Sequence, residues 1–596
     1  MIRLADYVID FLVKKGIEDI FLVSGGGIMY LLDAVGRNKK MRYISQYHEQ
    51  ACAMAAEAYA RLRNHISACL VTTGPGSTNA VTGVAGAWVE SIPMIVISGQ
   101  IKRETIADYS RMRQLGLQEI NIVDIVQPIT KYAKTIMQPE TITYELEKAF
   151  YEATAGRPGP VWINIPLDVQ GAMIDETKLK HYHLTPKNQN YKKSLKKAVK
   201  ETIEMLKKAK RPVLIAGFGI RLAHAEKLLK ELIVKLKAPV LVSNNSLDLM
   251  SENHPLFMGR YGPAGQRKAN FVLQTADLVL SIGASLNVTS TGFNFKGFAP
   301  KAKKIMVNID QGELCRPTLK IDFPIQADAK DFMEELLSKM KNSTFKFSHR
   351  WYEACRIWKK RYPTIVSDFF KNKKHVNSYV FMDKLSDLLT TKDVLVTGIG
   401  LDVVSFYQAF KVKKNQRAFC NKNNGNMGYC LPGSIGACVG NERKRTVLVT
   451  GDGSIQFNIQ ELNTIKYYKL PIKIFIFNNK GYKSIRDTQN NLFEGRLVGA
   501  DEHSGVTNPD FKKLAGTYNF SYGYILNNQE IDKRIKEALR IPGPTLYEVN
   551  IAYDQVRMPR VVSYRRPDGT LESKPLEDMS PFLPTEEIYK NMHMFD

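Results

Sequence analysis

The stretch Val447-Leu-Val-Thr-Gly-Asp-Gly-Ser454, then Gln460-Glu-Leu-Asn-Thr-Ile-Lys-Tyr-Tyr468, Ile472-Lys-Ile-Phe-Ile-Phe477 and Asn478-Asn-Lys-Gly-Tyr482, decides the fold. The two β-branched and aromatic runs predict buried parallel strands, with a helix between them. Glycines at the end of the first strand let a phosphate reach backbone N–H groups at a helix N-terminus. A diphosphate held there needs a hard cation, and Mg²⁺ takes oxygen ligands from a carboxylate, an amide and a carbonyl. Asp452 offers the carboxylate and Asn479 the amide. Asp452 and Asn479 are 27 positions apart. A strand–helix–strand unit of that span places both at the carboxyl ends of neighbouring strands, where α/β folds bind ligands. Either piece alone reads as a turn or a helix cap; the ordered combination is specific.

The same alternation of short apolar runs and amphipathic segments extends outward to the whole chain of 596 residues. Strands are expected at 19–23, 67–71, 94–98 and 161–165, then at 213–216, 240–242, 278–282 and 305–309, and finally at 394–397, 447–450 and 472–477. The fold class is therefore α/β, with three doubly wound parallel-sheet domains at 1–171, 196–341 and 376–553. A proline-dotted arm without clear periodicity, 554–596, completes the chain. The first helix is predicted from Leu4, Tyr7, Val8, Phe11 and Leu12, a pattern unlike a secretory signal.

Lys and Arg number 84 against 59 Asp and Glu, a net charge of +25. Much of this excess lies in two inter-domain segments. Residues 172–211 hold 12 basic and 4 acidic residues, and residues 342–375 hold 9 and 2. The first reads as linker plus an exposed helix. No zinc-finger, homeodomain or RNA-binding aromatic signature accompanies the charge, so no nucleic-acid partner is expected. No membrane span is expected either, because no window approaches the ~18 apolar residues one needs. Seven scattered cysteines without a C-x-x-C pair suggest free thiols and a cytoplasmic location.

Beyond the diphosphate signature, the chain resembles the thiamine diphosphate-dependent decarboxylases and carboligases. Within them it is similar to the large subunits of acetolactate synthase (acetohydroxyacid synthase). The resemblance rests on Phe21-Leu-Val-Ser-Gly-Gly-Gly27, Tyr47-His-Glu-Gln-Ala-Cys52, Thr73-Gly-Pro-Gly-Ser-Thr-Asn79, Gly156-Arg-Pro-Gly-Pro160, Ile165-Pro-Leu-Asp-Val-Gln170, Gly425-Asn-Met-Gly428 and Leu431-Pro-Gly-Ser-Ile-Gly436. It implies pyrimidine-binding, middle and diphosphate-binding domains in that order, and sites formed between subunits of a homodimer or homotetramer. Glu49 matches the glutamate that hydrogen-bonds the cofactor's pyrimidine and thereby activates it. Met427 matches the apolar wedge beneath the cofactor, and the Gly425 carbonyl the acceptor for its amine. Gly400, Leu401, Asp402, Gly453, Ser454, Asn479, Gly481 and Tyr482 match the remaining cofactor contacts. Asp452, Asn479 and Gly481 would bind Mg²⁺.

The implied reaction is decarboxylation of a 2-keto acid, pyruvate in the first place, followed by ligation to a second carbonyl acceptor. The simple pyruvate decarboxylases carry a paired-histidine relay after the Gly-Pro-Gly-Ser turn; Ile101–Ile120 contains no histidine. Leu117-Gln118-Glu119 instead resembles the Phe-Gln-Glu of the synthases, which makes Gln118 a catalytic and substrate candidate. Gly26, Gly27 and Thr488 are the other substrate candidates. The synthases of branched-chain biosynthesis carry tryptophan where this chain has Thr488. They also carry Gly-x-Arg-Phe-Asp-Asp at an FAD site, where this chain has Gly283-Ala-Ser-Leu-Asn287, which leaves FAD open. The triple glycine at 25–27 and the ending Pro575-Leu-Glu-Asp-Met579 resemble a subgroup associated with surface polysaccharides. That resemblance gives an alternative, two-carbon transfer from pyruvate to a keto-sugar nucleotide. A catalytically silent binding subunit of the same fold is a further alternative.

Overall fold

The computed structural model describes residues 1–183, 189–341 and 343–595. Positions 184–188 of the first basic segment, position 342 of the second and the last residue of the arm lie outside the described residues. Three six-stranded sheets, each wholly parallel, follow one another along the chain. The α/β class and the three-sheet architecture expected from the sequence are what the chain adopts.

The first sheet runs Arg42–Ser45, Asp19–Leu22, Ser67–Val71, Met94–Gln100, Pro160–Pro166, Tyr132–Thr135 across its width. The third runs Ala418–Phe419, Val394–Thr397, Thr446–Gly451, Ile472–Asn478, Thr545–Asn550, Ser521–Ile525. Numbered within each sheet, both have the spatial order 2-1-3-4-6-5. The middle sheet runs Phe257–Arg260, Val240–Val242, Pro212–Ala216, Leu278–Ile282, Lys303–Asn308, Phe323–Gln326, the order 3-2-1-4-5-6 of dinucleotide-binding sheets. Every run expected to form a strand does so within a residue or two. Four of the strands not anticipated are edge strands with half-exposed, partly polar sequences: Arg42–Ser45, Tyr132–Thr135, Phe323–Gln326 and Ser521–Ile525. An edge strand touches one neighbour only, so it needs no continuous apolar run.

The first and third sheets meet through two helices, Glu49–Arg63 and Cys430–Gly440. The former is alanine-rich and buried along most of its length, the mark of a helix packed on all sides. A Cβ at Gly436 would stand 1.9 Å from the Ala55 carbonyl oxygen, so the glycine sets how closely the pair approaches. The segment read as an exposed linker helix, Gln189–Lys208, instead buries Leu195, Val199, Ile203 and Leu206 against the middle sheet while its lysines face outward. After residue 553 the chain forms a hairpin, Ser563–Arg565 with Leu571–Ser573, and a last helix, Thr585–Met592. Leu576 and Met579 are buried against the middle domain between these two elements. Among the described residues no helix is long and apolar enough to cross a membrane.

Candidate functional site

At the carboxyl end of the third sheet, strand Thr446–Gly451 runs into a 3₁₀ turn, Ser454–Asn458, with the α-helix Glu461–Tyr467 beginning only after it. Asp452, in the turn, is buried. Its Oδ1 accepts the Gly453 N–H at 2.8 Å, and its Oδ2 accepts the Gly481 N–H at 2.9 Å and Asn508 Nδ2 at 2.8 Å. Burial raises the Asp452 pKa, and those donors oppose the rise. The next strand, Ile472–Asn478, delivers Asn479, buried and with its side-chain amide unbonded among the described residues. Gly481 has φ +117°, and a Cβ there would meet the Ala500 carbonyl oxygen at 2.4 Å; only glycine turns the chain here. At Gly453 a Cβ would stand 2.1 Å from the Tyr482 ring. The corner therefore presents backbone, one carboxylate and one amide.

Two further segments face the same end of this sheet. The Gly428 N–H donates to Ser454 Oγ at 3.1 Å, and Asn458 Nδ2 donates to the Gly428 carbonyl at 3.0 Å, which fixes the loop of Gly425 and the half-buried Met427 against the corner. The same loop is held from the first domain by Glu90, whose Oε1 accepts the Asn423 N–H at 2.8 Å. Gly400 precedes the helix Leu401–Ala409, and its N–H donates to Asp402 Oδ1 at 2.7 Å. Asp402 Oδ2 is buried with no hydrogen-bond partner among the described residues, and burial pushes the Asp402 carboxyl up to about 6.

The first sheet assembles a second cluster. His48 caps the helix Glu49–Arg63, its Nδ1 accepting the Gln50 N–H at 3.0 Å, so Glu49 opens the helix. Glu49 is buried, and its Oε2 accepts Asn79 Nδ2 at 3.0 Å. A Cβ at Gly76 would lie 3.0 Å from Glu49 Oε1, which places the Gly-Pro-Gly-Ser turn beside the carboxylate. Gln118, at φ +63° and exposed, lays its carbonyl on Gly74, where a Cβ would come within 2.0 Å. The Gly27 N–H donates to Thr72 Oγ1 at 3.2 Å, next to the same turn, with Gly26 exposed beside it. Glu49, Gly26, Gly27 and Gln118 therefore come together. Thr488 does not join them. It sits exposed on the helix Lys483–Leu492 below the third-sheet corner, with its hydroxyl donated to the Ser484 carbonyl at 3.0 Å.

Among the described residues no hydrogen bond joins Glu49 to the Asp452 corner. The two sheets are instead connected beside them. Glu461 accepts the Tyr47 N–H at 3.1 Å and Gln46 Nε2 at 3.3 Å, and the Tyr429 hydroxyl donates to Glu57. Sequence reading assigned no role to Asn508, Asn458, Asn79, Glu461 or Glu90. Asn79 and Glu461 lay inside quoted motifs, whereas Asn508 is 56 positions from the carboxylate it holds and carried no local signal.

Comparison with known proteins finds three matching family models. Residues 2–125 match the N-terminal TPP-binding domain of thiamine pyrophosphate enzymes, 199–336 their central domain, and 398–549 their C-terminal TPP-binding domain. The chain is 32% identical to the acetolactate synthase large subunit of Cyanidium caldarium over 93% of its own length and 94% of the relative's. It is 32% identical to a probable acetolactate synthase large subunit of Methanocaldococcus jannaschii, over 92% and 91% of the two chains. With the acetolactate synthase isozyme 1 large subunit of Escherichia coli K12 it shares 29% identity over 94% and 95%.

Proposed function

The chain belongs to the acetolactate synthase large-subunit family of thiamine pyrophosphate enzymes, and from that premise we propose that it decarboxylates pyruvate and joins the two-carbon remainder to a second carbonyl compound. The observation that carries this reading is the pair of clusters: Asp452, Asn479 and Gly481 at one sheet, and buried Glu49 at the other.

The donor sets suit the cofactor and its metal. A glycine-lined corner with one carboxylate, one free amide and a turn carbonyl matches the oxygen set of an Mg²⁺ that also binds a diphosphate and water. Asp452, Asn479 and Gly481 would hold the metal, and Gly453, Ser454 and the 400–402 turn the diphosphate. Gly425, Met427 and Tyr482 would line the body of the cofactor, and Glu49 its pyrimidine. Thiamine diphosphate, when bound, would supply a thiazolium carbon that becomes a nucleophile on losing its proton. The residues do the rest. Glu49, its carboxylate oriented by Asn79, would meet the cofactor's pyrimidine, and the turn at Gly74–Gly76 keeps bulk away from it. Gln118 and Gly27 pack on the turn that borders that carboxylate, where the keto acid would enter.

FAD does not fit the middle domain. A cavity of about 280 Å³ opens at the switch point of its sheet. The Gly219 N–H there is already donated to the Gly283 carbonyl at 2.8 Å. The one guanidinium on its wall, Arg157, is held by Asp310 at 2.8 Å and Glu313 at 2.9 Å, while Glu90 and Asp328 line it as carboxylates. A dinucleotide diphosphate would face carboxylates among the amides and hydroxyls of Asn244, Asn245, Ser285 and Ser290.

Separation of the clusters within one chain supports a site completed by a second copy. Leu117, 88% exposed beside Gln118, and Phe457, 52% exposed beside Ser454, are apolar surfaces suited to that contact. Mass spectrometry of the products from pyruvate, ThDP and Mg²⁺ tests the proposal. Acetolactate or another ligation product is expected, and absence of CO₂ release would remove the reading.

A further inference from the structure

The helix Pro75–Glu90 starts beside Glu49 and ends against the loop that carries Gly425 and Met427. Asn79, near its start, orients the Glu49 carboxylate. Thr82, Gly86 and Glu90 then recur every four residues and so share one face of the helix. The loop lies on that face. Asn426 Nδ2 donates to the Thr82 carbonyl at 3.4 Å, and the Asn423 N–H donates to Glu90 Oε1 at 2.8 Å, one contact on each side of Gly425. Between these contacts a Cβ at Gly86 would come within 2.9 Å of Asn421 Nδ2 and 3.2 Å of Asn426 Nδ2, so the glycine leaves the loop its place.

Glu90 is buried, and burial raises its pKa; Arg61 and the Asn423 N–H oppose the rise, while Glu57 adds to it. Arg61 Nη2 lies 3.3 Å from Glu90 Oε2, and Asn245 Nδ2 of the middle domain donates to the same oxygen. Arg61 is itself held by Glu57, whose Oε1 accepts its Nη2 at 2.6 Å and its Nε at 3.0 Å. The Tyr429 hydroxyl donates to the other oxygen of Glu57. The rings of Phe218 and Phe419 lie 5.3 and 5.7 Å from the guanidinium. Glu90 thus meets Arg61 of its own domain, Asn245 of the middle domain and Asn423 of the third. An ionised carboxylate accepts at both oxygens, and this arrangement uses both. A glutamine would offer one acceptor and turn its NH₂ toward Arg61 and Asn245, or toward the Asn423 N–H.

We infer that Glu90 is a positioning residue of the carboligase, fixing the 421–428 loop on the helix face so that Gly425 and Met427 meet the cofactor. This rests on the carboligase reading above, which gives those two residues their roles. Glu90 acts through the backbone of the loop, and Arg61, steadied by Glu57 and Tyr429, keeps its charge in place.

The test compares the full-length parent with Glu90→Gln and Gly86→Ala, each with Mg²⁺ and with and without ThDP. Hydrogen–deuterium exchange reads the amides of the 421–428 loop, calorimetry the ThDP affinity, and steady-state assays kcat and the pyruvate KM. In Glu90→Gln the loop amides should exchange faster and ThDP affinity should fall about tenfold, the effect of one hydrogen bond to a charged group. Its kcat should fall with the pyruvate KM unchanged. Gly86→Ala lifts the loop while leaving the charges alone and improving the helix, so ThDP affinity should fall while the urea midpoint holds or rises. Faster loop exchange in Glu90→Gln with ThDP affinity and kcat unchanged would overturn the inference. So would a loss of affinity without faster exchange, or a lower urea midpoint as the only effect. Should Glu90→Gln fail to fold, Gly86→Ala decides alone, and unchanged ThDP affinity there overturns the inference. CO₂ release by the parent separates the two readings. A parent that binds ThDP and releases none removes the carboligase and leaves the loop result standing; release by the parent and by Glu90→Gln at equal rates removes only the positioning role.

Discussion

The first and third sheets share one strand order, yet their equivalent turns carry different chemistry. After the third strand of each comes a glycine-flanked turn: Gly74-Pro75-Gly76-Ser77 in one, Gly451-Asp452-Gly453-Ser454 in the other. Asp452 is a carboxylate held by three donors, whereas Pro75 offers neither a charge nor an N–H. After the edge strand, the first sheet leads into Glu49 and its helix, and the third leads into the Gly425–Gly428 loop and the helix that packs on it. After the first strand, Gly25–Gly27 correspond to the turn that ends in buried Asp402. Topology thus sets a crevice at both sheets, and the residue placed in each turn decides what it can hold.

Four substitutions break or sharpen that contrast, in falling order of effect. Asp452→Ala gives the third sheet a turn as charge-free as the first. Calorimetry should then find no Mg²⁺-dependent ThDP uptake and assays no turnover; retained uptake would show that the corner does not hold the metal. Glu49→Gln keeps the shape of the first-sheet cluster and removes its proton chemistry. Its kcat should fall by ~10²–10⁴-fold with ThDP still bound.

Gly436→Val tests the helix pair that relates the two sheets. A side chain 1.9 Å from a carbonyl overpacks the contact, so urea unfolding should show a loss of about 1–3 kcal/mol or more. The smallest and most diagnostic change is Asp402→Asn, for which the first sheet has no counterpart. The folded Asp402 carboxyl titrates at about 6, above its ordinary 3.8, so burying its charged form opposes folding. The stability present below pH 3.8 is lost as pH rises through 6. Asp402→Asn in the apo-protein should therefore gain about 1–3 kcal/mol over the parent at pH 7 and nothing at pH 4.

How legible the molecule was depends on where each residue sits. The runs 67–71, 278–282 and 472–477 could be read because strands covered on both faces are nearly continuous apolar runs, interrupted here only by Ser67, Ser281 and Lys473. The strand Arg42–Ser45 that leads to Glu49 could not, because it is exposed at three of its four residues. Position 189 onward looked like linker because lysines dominate its composition, while four buried residues at helical spacing dock it. The shared strand order of the first and third sheets left no trace as a short tandem repeat, since parallel crossovers constrain connectivity more than identity.

The sequence by itself determined the α/β class and the cofactor signature, and singled out Asp452 and Asn479 from strand ends and glycines a few positions away; Glu49 and Gly481 are candidates through the family resemblance alone. Only the tertiary structure decided that Asn508 holds Asp452, that Glu90 pins the Gly425 loop, and that Glu49 and the Asp452 corner lie in separate clusters. Hydrogen bonds depend on distances through space, and residues 56 or 333 positions apart share none of the periodicity that sequence reading relies on.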